Sequence, residues 1–503
     1  MKLVLIGAGS AQFGLGTLGD FFQSEKLYGS EIVLVDINGE ALSVVHGKAK
    51  AFLAEHPLPF TVSATTDRKL ALAHADFVII SIEVGNRFKL WDEDWTIPQQ
   101  YGIRQVYGEN GGAGGVFHAL RIAPVIMEIC DDVAAICPDA WVFNYSNPMT
   151  AITTAVLRKH PGLKFVGLCH EVVSLERYLP SILNTPFENL ELRSAGLNHF
   201  SVLLEARYRD SGKDAYPDIL EKAPAFFERE IGYSDILSYV MRTGKAPRTE
   251  GNSHRVVLDV DRSAKSWSDR TLFKEIMETY KLMPVTVDSH FGEYIPWAPE
   301  VVDHRGIKDF YTLYQLELAQ GKPKIELRRD ERMILIIEGI LDDSGYEEPA
   351  VNVMNNGLIG KRSEWKGTME CSLSRASAGN VRIHTSPLGA EKEAKPPLSG
   401  ACPGVGIPFI DELPSNIAVE VPAKVHQSRL EPIAFPNYPK GFAALLRNYC
   451  GVYDLTADAV LTGKKEYVVH ALLANPAVGK YRVVGELVDL MIERQRRWLG
   501  YLS

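Results

Sequence analysis

The chain has 503 residues, 46% hydrophobic and 23% charged, with 54 basic and 63 acidic side chains giving a net charge of −9. This is the composition of an ordinary globular protein of two to four domains, and it excludes disordered, collagen-like and coiled-coil chains. The acidic balance without a basic tract argues against nucleic acid or an anionic membrane as partner, and no apolar run approaches the ~18–20 residues that span a bilayer.

The N-terminal apolar run Lys2–Ile6 breaks at Gly7, too short for a secretory core and without a small-residue cleavage site after it. The six cysteines (Cys130, Cys137, Cys169, Cys371, Cys402, Cys450) are sparse and form no CxxC. Reduced thiols in a cytoplasmic protein are the expectation. Lys2–Ile6, Glu31–Asp36, Asp76–Ile82, Ala140–Asn144 and Lys164–Leu168 read as buried strands. Amphipathic stretches such as Gly39–Leu53 and Ala119–Ile136 lie between them. Continuous Val/Ile runs alternating with helices predict an α/β, doubly wound, Rossmann-like parallel sheet, which resembles the lactate/malate dehydrogenase fold. From about Leu192 the pattern changes to an alternating run, Phe200–Ala206, and to helical spacing at Phe226–Met241, Leu272–Leu282, Asp330–Asp342 and Val483–Leu502. The predicted division is 1–191 for the dinucleotide-binding domain and 192–503 for a C-terminal α+β domain. The Gly/Ser/Lys/Pro-rich interval at about 360–408 reads as an inserted surface excursion.

The first βα turn, Gly7-Ala8-Gly9-Ser10-Ala11-Gln12-Phe13, has the tight-turn glycine and the glycine that lets backbone N–H groups approach a pyrophosphate, with Ser10 opening the helix. The third glycine of the usual fingerprint is replaced by Gln12. Asp36 ends the second strand, where a carboxylate accepts both ribose hydroxyls of NAD and repels the 2′-phosphate of NADP. A plain tight turn with a strand-end Asp is the alternative. Three further stretches, Asn144–Pro148, Gly167–Val172 and Gly196–Phe200, can reach the carboxyl edge of the sheet, where open α/β sheets bind ligands.

These residues resemble glycoside hydrolase family 4, the NAD- and metal-dependent glycosidases. The likeness rests on the GAGS turn, Asn147-Pro148, the CHEV tetrapeptide Cys169–Val172, the GLNH stretch ending at His199, and Asp288-x-His290-x-x-Glu293-Tyr294. Arg87 with Ile97-Pro98, the glycine-rich Glu109–Gly115 followed by Ala119-Leu120-Arg121, and the late VNVMNNGLI and LPSNIAVEVPAKV segments also match. The resemblance implies that Cys169 and His199 hold a divalent cation, usually Mn²⁺. A thiolate and an imidazole with open positions can polarise an oxygen as a Lewis acid; a buried thiol and a hydrogen-bonded histidine are the alternatives.

Cleavage by two carboxylates is the common glycosidase route, and this family departs from it. The resemblance implies transient oxidation of the sugar at C3, removal of the C2 proton, elimination of the aglycone and addition of water, with the dinucleotide recycled. Asp288 matches the C2 base, against a helix-capping or ion-paired Asp. His170 either protonates the leaving oxygen or makes an outer hydrogen bond. Asn147 binds dinucleotide and sugar hydroxyls, or shapes the turn before Pro148. Glu109, Arg87 and His290 are the other candidate substrate contacts, and Glu109 is equally a turn residue. The CHEV tetrapeptide looks like the α-glucosidase branch, acting on a non-phosphorylated hexose. The His290–Trp297 stretch also resembles the α-galactosidase and uronidase branches. The expected partner is a small glycoside, and the resemblance implies a homodimer or homotetramer. A 2-hydroxy-acid dehydrogenase is the alternative class, and it would accumulate NADH in proportion to substrate consumed. A nucleotide-sensing protein with a dead site would bind NAD and release no aglycone.

Overall fold

The computed structural model describes residues 1–227, 233–245, 248–250, 255–257, 271–286, 288–301, 305–320, 323–329, 331–356, 359 and 408–503. Six strands come first: β1 (Lys2–Ile6), β2 (Glu31–Val35), β3 (Thr61–Thr65), β4 (Phe77–Ile80), β5 (Trp141–Asn144) and β6 (Lys164–Gly167). They pair in parallel in the order β3-β2-β1-β4-β5-β6, the doubly wound dinucleotide-binding order. β4 and β5 are buried at every residue, which is why they read as unbroken apolar runs. All five expected strands form. β3 is a sixth that the apolar pattern did not predict. Its TVSAT sequence lies at the sheet edge and buries only Val62.

The C-terminal half adds β7 (Leu190–Leu197), β8 (Phe200–Tyr208), the separate hairpin β9 (Arg248–Glu250) and β10 (Arg255–Val257), β11 (Met283–Pro284), β12 (Glu347–Met354), β13 (Ala418–His426) and β14 (Arg429–Pro432). β12 lies antiparallel beside β6, and β13, β7, β8 and β11 follow in that order, with β14 on β13. The parallel and antiparallel halves are therefore one continuous mixed sheet. The predicted boundary at 191 falls inside β7, and the sheet runs across it unbroken.

Helical periodicity locates most helices and misplaces some ends. The helix expected from Ala119 begins at Gly112 and runs to Ile136. Glycine is a poor helix former, but here the first turn is held from a distance. The Glu293 carboxylate accepts from the N–H groups of Glu109 at 3.0 Å and Asn110 at 2.8 Å, and from that of Gly111, the N-cap residue. A carboxylate at a helix N-terminus is favoured by the exposed N–H groups and the helix dipole. Of the helix expected over Phe226–Met241, the described residues lie in the helices Tyr216–Phe227 and Tyr233–Thr243, with 228–232 outside the described residues, and that over Val483–Leu502 is Val484–Arg494 followed by Arg496–Leu499. Residues 360–407 of the expected insertion lie outside the described residues, as do Cys371 and Cys402. Cys130, Cys137, Cys169 and Cys450 are free thiols. Among the described residues, no helix is long and apolar enough to cross a membrane.

Candidate active site

Strand register brings the candidate residues together. Ile6 pairs with Ile80, Ile80 with Asn144, Asn144 with Gly167, Gly167 with Asn352, Asn352 with Glu420, and Glu420 with Gly196. This one row crosses seven strands. The nucleotide turn leaves the row after Ile6, Asn147 after Asn144, Cys169 after Gly167 and His199 after Gly196. The turn after β1, Asn147 and Cys169 therefore emerge at the carboxyl edge of the parallel strands, where ligands of open α/β sheets bind; β7 runs opposite to β6, and His199 meets Cys169 through its side chain, Sγ to Nε2 at 3.3 Å.

The turn after β1 has the geometry its glycines require. Gly7 has φ +93°, and a Cβ there would lie 1.9 Å from the Ser81 carbonyl oxygen, so only glycine fits. The Gly9 N–H donates to Asp36 Oδ2 at 2.8 Å, and the Asn38 N–H donates to Asp36 Oδ1 at 2.8 Å. Ser10 caps the helix Ala11–Gln23 by accepting from the Phe13 N–H. The close helix-to-turn packing that the fingerprint assigns to its third glycine falls to Gly14, where a Cβ would stand 2.3 Å from the Ala8 carbonyl oxygen. The spacing differs from the usual motif, so Gln12 hid it.

Cys169, Glu171 and His199 offer one sulfur, one oxygen and one nitrogen within 4.8 Å of one another. Cys169 Sγ lies 3.3 Å from His199 Nε2, and Glu171 Oε1 is also 3.3 Å from that nitrogen. His199 and Asn198 form the two-residue turn between β7 and β8, where Leu197 pairs with Phe200. His199 has φ +60°, a left-handed conformation in which histidine is among the few enriched non-glycine residues. Hairpin tips usually face solvent, but His199 is only 2% exposed. Buried Glu420 anchors the tip by accepting from Asn198 Nδ2 (2.8 Å), Ser201 Oγ (3.0 Å) and Asn352 Nδ2 (3.1 Å).

Behind this cluster runs a chain of charges. Arg87 pairs with Glu109, Glu109 Oε2 lies 3.2 Å from His290 Nε2, and His290 Nδ1 lies 3.1 Å from Glu171 Oε1. The His290 ring stacks on His199 at 4.2 Å and 8°. Burial opposes a charge on His290, yet Glu109 and Glu171 hold its pKa well above the ordinary imidazole value. Burial and the neighbouring His290 bring His199 down to about 4, which leaves it neutral, the form that ligates metals. Burial opposes ionisation of Glu171, but His199 and His290 lower it to about 2. Burial, with Glu171 and Glu420 nearby, pushes the Cys169 thiol well above its usual value. A cation among these groups would reverse that last effect, because a bound metal stabilises the thiolate.

The donor set fits a divalent cation in a second respect. Asn110 Nδ2 lies 2.8 Å from His199 Nδ1, while Asn110 Oδ1 is buried without a partner. With the amide turned over, Oδ1 accepts from an Nδ1–H and Nε2 presents its lone pair toward Cys169 and Glu171, in exchange for the long Nδ2 contact to Glu109 Oε2 at 3.5 Å. Asn110→Ala is therefore expected to weaken Mn²⁺ affinity by about 10–100-fold, the usual effect of losing a partner that orients a ligating histidine. Titration of free Mn²⁺ by electron paramagnetic resonance checks this, and an unchanged affinity would remove Asn110 from the site.

The other candidates are placed as follows. His170 is half-exposed, with Nε2 3.1 Å from Glu331 Oε2 and its ring 5.7 Å from that of Tyr145. Asn147 follows β5 and has a buried side-chain oxygen with no partner. The turn is shaped by its neighbours: Asn144 Nδ2 donates to the Ser146 carbonyl at 2.9 Å, and Ser146 Oγ donates to the Ile82 carbonyl at 2.9 Å. Asp288 opens the short helix Asp288–Gly292 that also carries His290; its side chain lies outside the described residues. Arg121 is buried in a two-pronged pair with Asp94 and also donates to Gln495, a structural role. Sequence reasoning gave no role to Glu171, Asn110 or Glu331. Glu171 was visible two residues after Cys169, whereas Asn110 and Glu331 reach the site through contacts 89 and 161 positions long.

The profile described as family 4 glycosyl hydrolase matches residues 2–185, and that of the family 4 glycosyl hydrolase C-terminal domain matches 194–361 and 401–478. An alpha-glucosidase of Erwinia rhapontici is 55% identical over 502 residues, covering 100% of this chain and 99% of that protein. An alpha-galactosidase of Bacillus subtilis (strain 168) is 28% identical over 480 residues, covering 94% and 93%. A solved 6-phospho-alpha-glucosidase from gut microorganisms, in complex with NAD and Mn²⁺, shares the fold with a TM-score of 0.71 at 19% identity, covering 100% of this chain and 99% of that one. Two profiles that together span most of the chain, and a relative matched end to end, show that this protein belongs to glycosyl hydrolase family 4.

Proposed function

We propose that the protein hydrolyses α-glucosides of non-phosphorylated glucose, using NAD and a divalent cation, Mn²⁺ by preference. The observation that carries this reading is the Cys169–Glu171–His199 donor set, whose Cys169 follows β6 at the carboxyl edge that also carries the turn after β1. Full-length identity of 55% to an alpha-glucosidase supports the choice of sugar. Cys169 and His199, with Glu171, would hold the cation. Gly7, Gly9, Ser10 and Asp36 would hold the dinucleotide, and Asn147 would bridge it to the sugar. When bound, the dinucleotide supplies a reversible hydride acceptor and the cation a Lewis acid at the oxidised carbon.

The remaining chemistry belongs to the chain. Asp288 takes the C2 proton, made acidic by the neighbouring carbonyl. The C1–oxygen bond then breaks, its electron pair leaving with the oxygen, and a C1–C2 double bond forms. His170 gives that oxygen a proton, and water later adds at C1. Arg87, Glu109 and His290 line the sugar side. Their mutual pairing keeps His290 charged and fixed, with both ring N–H groups taken up by Glu109 and Glu171, so that it contributes its positive charge to the sugar side. Assay of nitrophenyl α- and β-glycosides of glucose, galactose and galacturonate, with and without NAD, Mn²⁺ and thiol reductant, tests the proposal. Cleavage of the α-glucoside that needs all three additives is expected. Preference for the galactoside or galacturonide, whose enzymes are relatives at 28% and 26% identity, would reassign the sugar.

A further inference from the structure

Glu331 occupies the N-cap position of the helix Arg332–Asp342, yet its side chain makes no cap hydrogen bond. N-cap side chains ordinarily turn back onto the first N–H groups. This carboxylate instead reaches His170, with Oε2 3.1 Å from Nε2. The backbone is pinned for the purpose: the Glu331 N–H donates to Asp20 Oδ1 at 3.1 Å, and Asp20 lies on the helix that follows the dinucleotide turn. The helix Arg332–Asp342 is further tied to the chain just after that helix, by its C-cap Ser24, whose Oγ donates to Glu338 Oε1 at 2.6 Å, and by Lys26 with Asp342. The His170 ring also lies near that of Tyr145, whose hydroxyl accepts from the Met333 N–H at 3.4 Å and is hydrogen-bonded to Glu331.

A carboxylate can only accept, so Nε2 carries its hydrogen toward Glu331. That leaves Nδ1 as the ring nitrogen able to face a substrate. The exposures agree, with the His170 side chain 54% open and that of Glu331 14%. We propose that Glu331 is the positioning residue for His170, fixing Nε2 so that Nδ1 faces the departing glycosidic oxygen. This rests on the reading of His170 as proton donor. As the C1–oxygen bond breaks, its pair stays on the oxygen, which takes the Nδ1 proton. The ring is left neutral, still bonded through Nε2–H to Glu331, and recovers its proton from the incoming water.

Help to a leaving group matters when that group is poor, whereas structural damage harms all substrates alike. The test uses the NAD- and Mn²⁺-loaded enzyme on methyl α-glucoside and nitrophenyl α-glucoside. Glu331→Gln is expected to lower kcat/KM for the methyl glucoside about a hundredfold, the lower end of acid-catalysis effects, and to leave the nitrophenyl glucoside within about threefold. His170→Gln should show the same selectivity. The double variant should be no worse than His170→Gln alone, because the two residues act as a unit. Exchange of the C2 proton with solvent deuterium, which precedes bond cleavage, should persist in all three variants. Equal losses on both substrates with Glu331→Gln, no loss on either, or a double variant whose losses simply multiply would overturn the proposal. If His170→Gln itself shows no selectivity, the proton-donor reading fails; if wild type shows no C2 exchange, the proposed function fails.

Discussion

Replacing Cys169 or His199 by Ala is expected to lower glycoside cleavage by about a thousandfold or more and to abolish specific Mn²⁺ binding. The size follows from what the cation does: charge stabilisation of several kcal/mol, at about 1.4 kcal/mol per tenfold in rate. The geometry makes this loss hard to compensate. The sulfur, imidazole nitrogen and Glu171 oxygen lie within 4.8 Å of one another, and removing one leaves a buried carboxylate or imidazole facing a gap. The hairpin tip bearing His199 is held by Glu420 through Asn198 and Ser201, so it cannot shift to bring in another ligand. Equilibrium dialysis against Mn²⁺ with parallel rate assays checks the expectation. A variant that cleaves at the wild-type rate in excess chelator would contradict the ligand assignment.

The second large effect is expected at Asp288. Asp288→Asn should lower turnover by about 10²–10⁴-fold, the range for removing a positioned base, with NAD and Mn²⁺ affinities unchanged. The stronger readout is isotopic: recovered substrate from deuterium oxide should carry label at C2 with the wild-type enzyme and none with the variant. Its place at the start of the helix that also carries His290 puts it two residues from a side chain that touches both Glu109 and Glu171. Exchange continuing at the wild-type rate in the variant would mean that another group removes the proton.

Much of this was legible in the chain before any coordinates. The buried parallel strands show themselves as Val/Ile runs because both their faces are covered. The turn after β1 shows itself because Gly7 and Asp36 have local reasons to be where they are. β3 was not legible because an edge strand with one buried residue carries almost no apolar signal. In β13, Glu420 is fully buried and accepts three side-chain hydrogen bonds, and sequence reasoning assigned it no part. In the site, Cys169 and His199 could be named from motif resemblance, but what surrounds them could not. Asn110 meets His199, Glu331 meets His170 and Glu293 meets the glycine-rich turn across 89, 161 and 182–184 positions of the chain. Contacts of that span leave no mark within any short window of sequence.

The central claim is that the dinucleotide is borrowed during cleavage and returned. It is tested most directly by counting aglycone released per NAD supplied to dinucleotide-free enzyme, while following nicotinamide absorbance. Many bonds cleaved per NAD, none without it and no build-up of reduced cofactor is the result expected here. Undiminished cleavage in the absence of NAD, or one NADH accumulated for each substrate consumed, would contradict it.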